Sequence, residues 1–161
     1  MRVYVLYHAH CPDGFGAAWA AWKRLGYAAT YVAVRHSVPP PEMPDCERLF
    51  LVDFAYPAQE LAQLRERVPH ITILDHHKSA QAALTGIGEP PLRFDPDQAR
   101  PGLFVTFDME ESGATLAWRY FHPDTDCPKL LLYIKDRDLW QHALPASQAV
   151  NAAIRSYPYD F

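Results

Sequence analysis

At residues 71–77 an apolar run, ITIL, ends in an acid and two adjacent histidines, Asp75, His76 and His77. A carboxylate beside imidazoles can hold a divalent ion, shuttle a proton or hydrogen-bond a phosphate. Capping a helix needs only the acid and gives two neighbouring histidines nothing to do. The same punctuation stands upstream. After RVYVLY come His8, His10, Cys11 and Asp13, the last followed by a glycine, and after RLFLV comes Asp53. Further on, YIKDRDLW adds Asp136 and Asp138. Taken singly, Asp13-Gly14 reads as a turn into a helix, Asp53 as an N-cap for a helix near Pro57, and His8 and His10 as polar loop residues. Taken together on one edge, these acids and imidazoles repel one another or lose solvation unless a cation joins them. A carboxylate-rich set with some histidine suits Mn²⁺ or a similar ion better than structural zinc.

Such convergence requires parallel strands. The segments 2–7, 29–34, 48–54, 70–75 and 103–108 are short apolar runs rich in β-formers. Between and after them lie helical patterns at 14–26, 57–68, 111–121, 127–140 and 146–157, with one or two helical turns at 76–84. Strands separated by helices predict βαβ units. The expected class is α/β, a mainly parallel five-stranded sheet with helices on both faces and a metal site at the carboxyl ends of the strands. The proline-rich stretches 37–47 and 88–102 read as ordered connectors. Trp19 and Trp22, three apart in AAWAAW, read as a core stripe rather than a stacking platform.

With 161 residues and 49% hydrophobic content, the chain suits one compact domain. A net charge of −4 argues against the broad cationic footprint that long duplex nucleic acid needs. It leaves room for short or terminal phosphates, which need only a local site. No run of 18 apolar residues and no basic segment before an apolar one occurs, so the expectation is a protein without membrane contact, working in the cytoplasm. Three cysteines argue against a disulfide framework.

In this order the motifs resemble those of the DHH superfamily of metal-dependent phosphoesterases, named for the Asp-His-His that stands here at 75–77. The likeness runs through YHAHCPDGFGAAWAAW, LVDFAYP, LDHHKSA and IKDRDLW, nearly the whole chain. That superfamily includes single-strand-specific exonucleases, short-oligoribonucleotide hydrolases, cyclic-dinucleotide phosphodiesterases, exopolyphosphatases and manganese pyrophosphatases. The resemblance implies that Asp53 bridges two ions, that Asp13 binds one and His8 the other, that His76 is metal-binding, and that Asp136 completes one metal shell. It implies that His77 faces the substrate phosphate and that Asp75 supports the site, the two forming the catalytic pair. Asp138 is the second choice behind Asp136, because residues two apart on a helix do not share a face. Lys78 and Arg137 are the cations that could join His77 on the phosphate, and the helix opening at Gly14 aims its N-terminus at the same edge.

The implied cofactor is Mn²⁺, as two ions, with Mg²⁺ or another divalent ion as the alternative. The implied substrate is a small phosphate ester or a short nucleic acid. The leading expectation is hydrolysis of phosphodiester bonds in short oligonucleotides or in linear or cyclic dinucleotides. The alternatives are hydrolysis of polyphosphate or pyrophosphate, and a catalytically reduced metal- or nucleotide-binding module. A homo-oligomer is left open. Two departures from the family pattern stand out. Cys11 occupies the place of the first aspartate of the opening motif, and His8 lies one residue closer to Asp13. Either Cys11 is a thiolate ligand, or His10 substitutes, or one ion binds weakly and arrives with substrate. Nothing resembles the family's smaller C-terminal substrate-gripping domain either. Residues 1–161 are therefore expected to be a single catalytic-type domain: a minimal version, a fragment or a partner-dependent subunit.

Overall fold

The computed structural model describes residues 1–91, 93–97 and 99–161, so Leu92 and Gln98 of the second connector lie outside the described residues. The strands are β1 (Val3–His8), β2 (Ala29–Val34), β3 (Arg48–Val52), β4 (His70–Asp75) and β5 (Gly102–Phe107). All pair in parallel, in the order β2-β1-β3-β4-β5. The helices are α1 (Pro12–Leu25), α2 (Ala58–Arg67), α3 (Lys78–Ala83), α4 (Gly113–Phe121), α5 (Lys129–Asp138) and α6 (Ser147–Arg155). This is the α/β class and sheet expected from the sequence.

The central strands are apolar on both faces because both are covered. Alternation sends Val3, Val5, Tyr7, Phe50 and Val52 to a core shared with the alanine face of α1 and with α4 and α5. It sends Tyr4, Leu6, Leu49, Leu51, Ile71 and Ile73 to a second core closed by Leu61 and Leu64 of α2 and by Leu84. Trp19 stacks on Trp118 at 5.8 Å, part of the packing against the first core as expected.

The register lines up the strand ends. His8 pairs with Val34, Val52 with both Tyr7 and Leu74, and Asp75 with Phe107. Every residue that follows a strand therefore emerges along one edge. After β1 the chain passes to β2 on one side, then crosses back to β3 on the other. The loops after β1 and β3 diverge there and leave a crevice, the usual ligand position in an open α/β sheet.

Candidate functional site

The crevice is lined by the side chains that punctuate the strands. At its floor, His76 Nε2 lies 3.2 Å from Asp53 Oδ1, 3.4 Å from Asp13 Oδ2 and 3.5 Å from Asp138 Oδ2. Three carboxylates around one nitrogen demand a cation. In the absence of a metal, the imidazolium supplies it: burial opposes the charge, but hydrogen bonds to Asp13 and Asp53 raise the His76 pKa to about 10. The acids show the same frustration. Burial, then the charge of Asp13, pushes the Asp53 carboxyl well above the usual range and Asp138 up to about 6.

Asp53 has two oxygens aimed at two places. Oδ1 faces His76, whereas Oδ2 lies 3.6 Å from His8 Nδ1 and is buried without a hydrogen-bond partner among the described residues. Ligand atoms group accordingly, each set within 4.8 Å: His8, Cys11 and Asp53; Asp13, His76 and Asp138; and Asp53 again with Asp75, His76 and His77. A carboxylate shared between sets, with one orphaned oxygen, fits a bridging ligand of two divalent ions. It does not fit a helix cap, because α2 is entered through Pro57 with no side-chain cap. Asp53 also has a φ of 63°, a left-handed conformation uncommon outside glycine and often found where a site dictates the backbone.

The other residues are positioned by the backbone around them. Asp13, 1% exposed, accepts the Gly113 and Ala114 amides at 2.5 and 2.9 Å, so the N-terminus of α4 holds it. Against the cost of burial, hydrogen bonds from His76, Ser112 and the Ala114 amide keep its pKa low. Asp75 accepts His77 Nδ1–H at 2.7 Å and the His76 amide at 2.8 Å. This leaves His77 Nε2 as the outward-facing nitrogen, and the Asp75 hydrogen bond, first among the causes, raises the His77 pKa.

The Cys11 thiol belongs to a donor set, but burial and then the Asp53 charge push its pKa up to about 12. It is a neutral donor until a metal displaces its proton.

Asp136 and His10 are not brought to the cluster. Asp136 turns the other way: its carboxylate accepts the Ala143 amide at 2.8 Å and the Leu144 amide at 3.4 Å, tying down the loop after α5. Asp138 takes the place expected of Asp136, since two helical positions apart are about 200° of rotation. His10 pairs with Arg35 at 3.0 Å. Lys78 is exposed at the start of α3, and Arg137 is half-buried, its charge opposing the rise of the Asp138 pKa that burial causes.

Two contributors were not foreseen. The Cβ that Gly113 lacks would sit 2.5 Å from Asp53 Cβ, so only glycine lets α4 approach. In the sequence it reads merely as the start of a helix after Ser112. His36 follows β2 as the other clusters follow their strands, and its ring lies 4.4 Å from His8 and 6.4 Å from His77. Its position at a strand end was the available signal.

No family model matches the chain. It is 29% identical over 172 residues to the uncharacterized protein R106 of Acanthamoeba polyphaga mimivirus, covering 98% of this chain and 38% of that protein. Its fold is similar to that of RecJ from Thermus thermophilus, solved in complex with Mn²⁺. The TM-score is 0.51 with 17% identity, over 92% of this chain and 23% of RecJ. The chain thus spans well under half the length of either protein. The likeness to RecJ is one of fold.

Proposed function

We propose that the chain is a divalent-metal-dependent phosphodiesterase acting on short oligonucleotides or on linear or cyclic dinucleotides, with manganese as its ion. The observation that carries this reading is the divided Asp53 carboxylate, with Oδ1 toward His76 and an orphaned Oδ2 toward His8. His8, Cys11 and Asp53 would hold one ion; Asp13, His76 and Asp138, with Asp53 bridging, would hold the other. Bound there, divalent ions supply Lewis-acid polarisation of the phosphate and a water acidic enough to attack near neutral pH. Imidazole and sulfur among the donors favour Mn²⁺ over Mg²⁺, which prefers all-oxygen shells. The RecJ structure in complex with Mn²⁺ supports the same choice.

The chain's own residues supply the rest. Asp75 fixes the ring of His77, whose Nε2 faces outward to donate a hydrogen bond to a nonbridging phosphate oxygen as charge develops there. Amides at the N-terminus of α4 keep Asp13 in place, and Gly113 lets that helix seat beside Asp53. Among the described residues no helix is long and apolar enough to cross a membrane. The net charge of −4 suits a short substrate better than a long duplex.

The test is a turnover panel of short 5′-phosphorylated RNA, linear and cyclic dinucleotides, and polyphosphate, each with Mn²⁺ and after chelation. Release of mononucleotides only with the ion present is the expected result. Cleavage of polyphosphate alone would move the substrate class, and turnover that survives chelation would end the metal-dependent reading.

A further inference from the structure

Away from the ions that Asp13, Asp53 and Asp138 would hold, an anionic substrate needs hydrogen-bond donors along the rim of the site. Three imidazoles stand on that rim. His8 belongs to a donor set, and His77 is fixed by Asp75. The third, His36, belongs to none of the metal-ligating sets among the described residues. It is exposed, two residues past the end of β2, with its ring edge-on to His8 at 4.4 Å and 6.4 Å from His77.

His36 also lines two cavities that meet at it. One, of about 290 Å³, lies between the loop after β2 and the loop after β3. The other, of about 370 Å³, has Phe54, Tyr56 and Leu84 among its walls and reaches Asp75 and His77. An apolar-walled cleft of this size beside the reacting edge is of the order that a nucleoside fills. Neither Lys78 nor Arg137 lines these cavities.

We propose that His36 is a substrate-binding residue. Its ring N–H donates to the phosphate that His77 faces, and the cleft between His36, Tyr56 and α3 receives the nucleoside attached to that phosphate. This rests on the phosphodiesterase reading above and assigns the side on which the substrate enters. The histidine contacts the phosphate equally before and during reaction, so its removal acts on KM more than on kcat.

The experiment compares wild type with His36→Ala and His36→Asn. It uses Mn²⁺ titration, equilibrium binding of a slowly cleaved phosphorothioate-linked diadenylate, and steady-state cleavage of the natural diadenylate. A hydrogen bond to a charged group implies about a 10- to 100-fold loss of dinucleotide affinity in His36→Ala, matched in KM. Mn²⁺ affinity stays unchanged, and His36→Asn, whose amide still donates, recovers part of the loss. Dinucleotide affinity within twofold of wild type in His36→Ala would overturn the proposal. So would a parallel loss of Mn²⁺ affinity, which would make His36 a ligand. A wild type that binds the diadenylate without cleaving it would refute the phosphodiesterase reading, and the binding comparison would still decide His36. A wild type that does not bind it at all would overturn the proposal.

Discussion

On the proposed two-ion reading, replacing Asp53 by asparagine separates the two ions. In the set with His8 and Cys11, Asp53 is the only carboxylate. Asp53→Asn leaves there the His8 imidazole, an amide and a Cys11 thiol that binds only by giving up its proton. The other set keeps Asp13, His76 and Asp138. Mn²⁺ stoichiometry by calorimetry should therefore fall from two per chain to one. An ion present at a hundred times its Kd stabilises the folded state by about 2.7 kcal/mol. At roughly 2–4 °C per kcal/mol for a domain of this size, each ion raises Tm by about 5–11 °C, and the variant keeps about half of the combined shift. The metal-free proteins should differ in the opposite sense. Burial and then Asp13 make the Asp53 charge costly, and its Oδ2 is unpartnered, so the metal-free variant melts at or above wild type. Turnover should drop at least about a thousandfold, more than the loss of one transition-state hydrogen-bond donor. Two bound ions in the variant, undiminished turnover, or a metal-free variant melting well below wild type would each refute the bridging role.

Asp138→Asn should cost Mn²⁺ affinity at least about tenfold while sparing metal-free Tm, whereas Asp136→Asn should lower Tm and leave Mn²⁺ binding intact; titration and melting on both variants check the exchange of roles. Gly113→Ala gains helix propensity yet forces Asp53 aside, so a loss of about 1–3 kcal/mol in denaturant unfolding together with weaker Mn²⁺ binding is expected. His70, far from the site, donates Nδ1–H to the Arg100 carbonyl at 2.7 Å and takes the Thr72 hydroxyl on Nε2 at 2.9 Å. Burial, first among the causes, depresses its pKa below 6.5. The unfolded state therefore binds the proton more readily. The His70 contribution is complete above pH 6.5 and fades as pH falls through the folded value, so His70→Asn should flatten the fall in stability below about pH 6.5 measured in chelator.

Much of the framework was legible because the physics is local. Short continuous apolar runs such as LFLV and ITIL fit strands buried on both faces, and parallel pairing then brings their C-terminal punctuation onto one edge. What escaped depends on rotation and approach. That only one of Asp136 and Asp138 points inward follows from helical period. Which one does depends on how α5 lies against α1 and on the loop after it, whose amides claim Asp136. His36 escaped because β2 is an edge strand with mixed burial, followed by a polar, proline-rich stretch that looks like mere connection. Gly113 escaped because a contact with Asp53, sixty residues away in sequence, leaves no periodic trace.

The grip of α4 on Asp13 joins residues 100 and 101 positions apart in the chain. During synthesis at about 5–20 residues per second, roughly 5–20 s pass between the making of Asp13 and that of its two amide partners. During that interval the nascent chain makes Asp53 and then the Asp-His-His triplet, but it has nothing to hold the first acid in place. Asp138 follows later still. An ion met on the ribosome therefore finds half a site, and tight loading waits for the last quarter of these residues. On the proposed reading, a divalent ion would in this way be taken up by the folded domain rather than by folding intermediates.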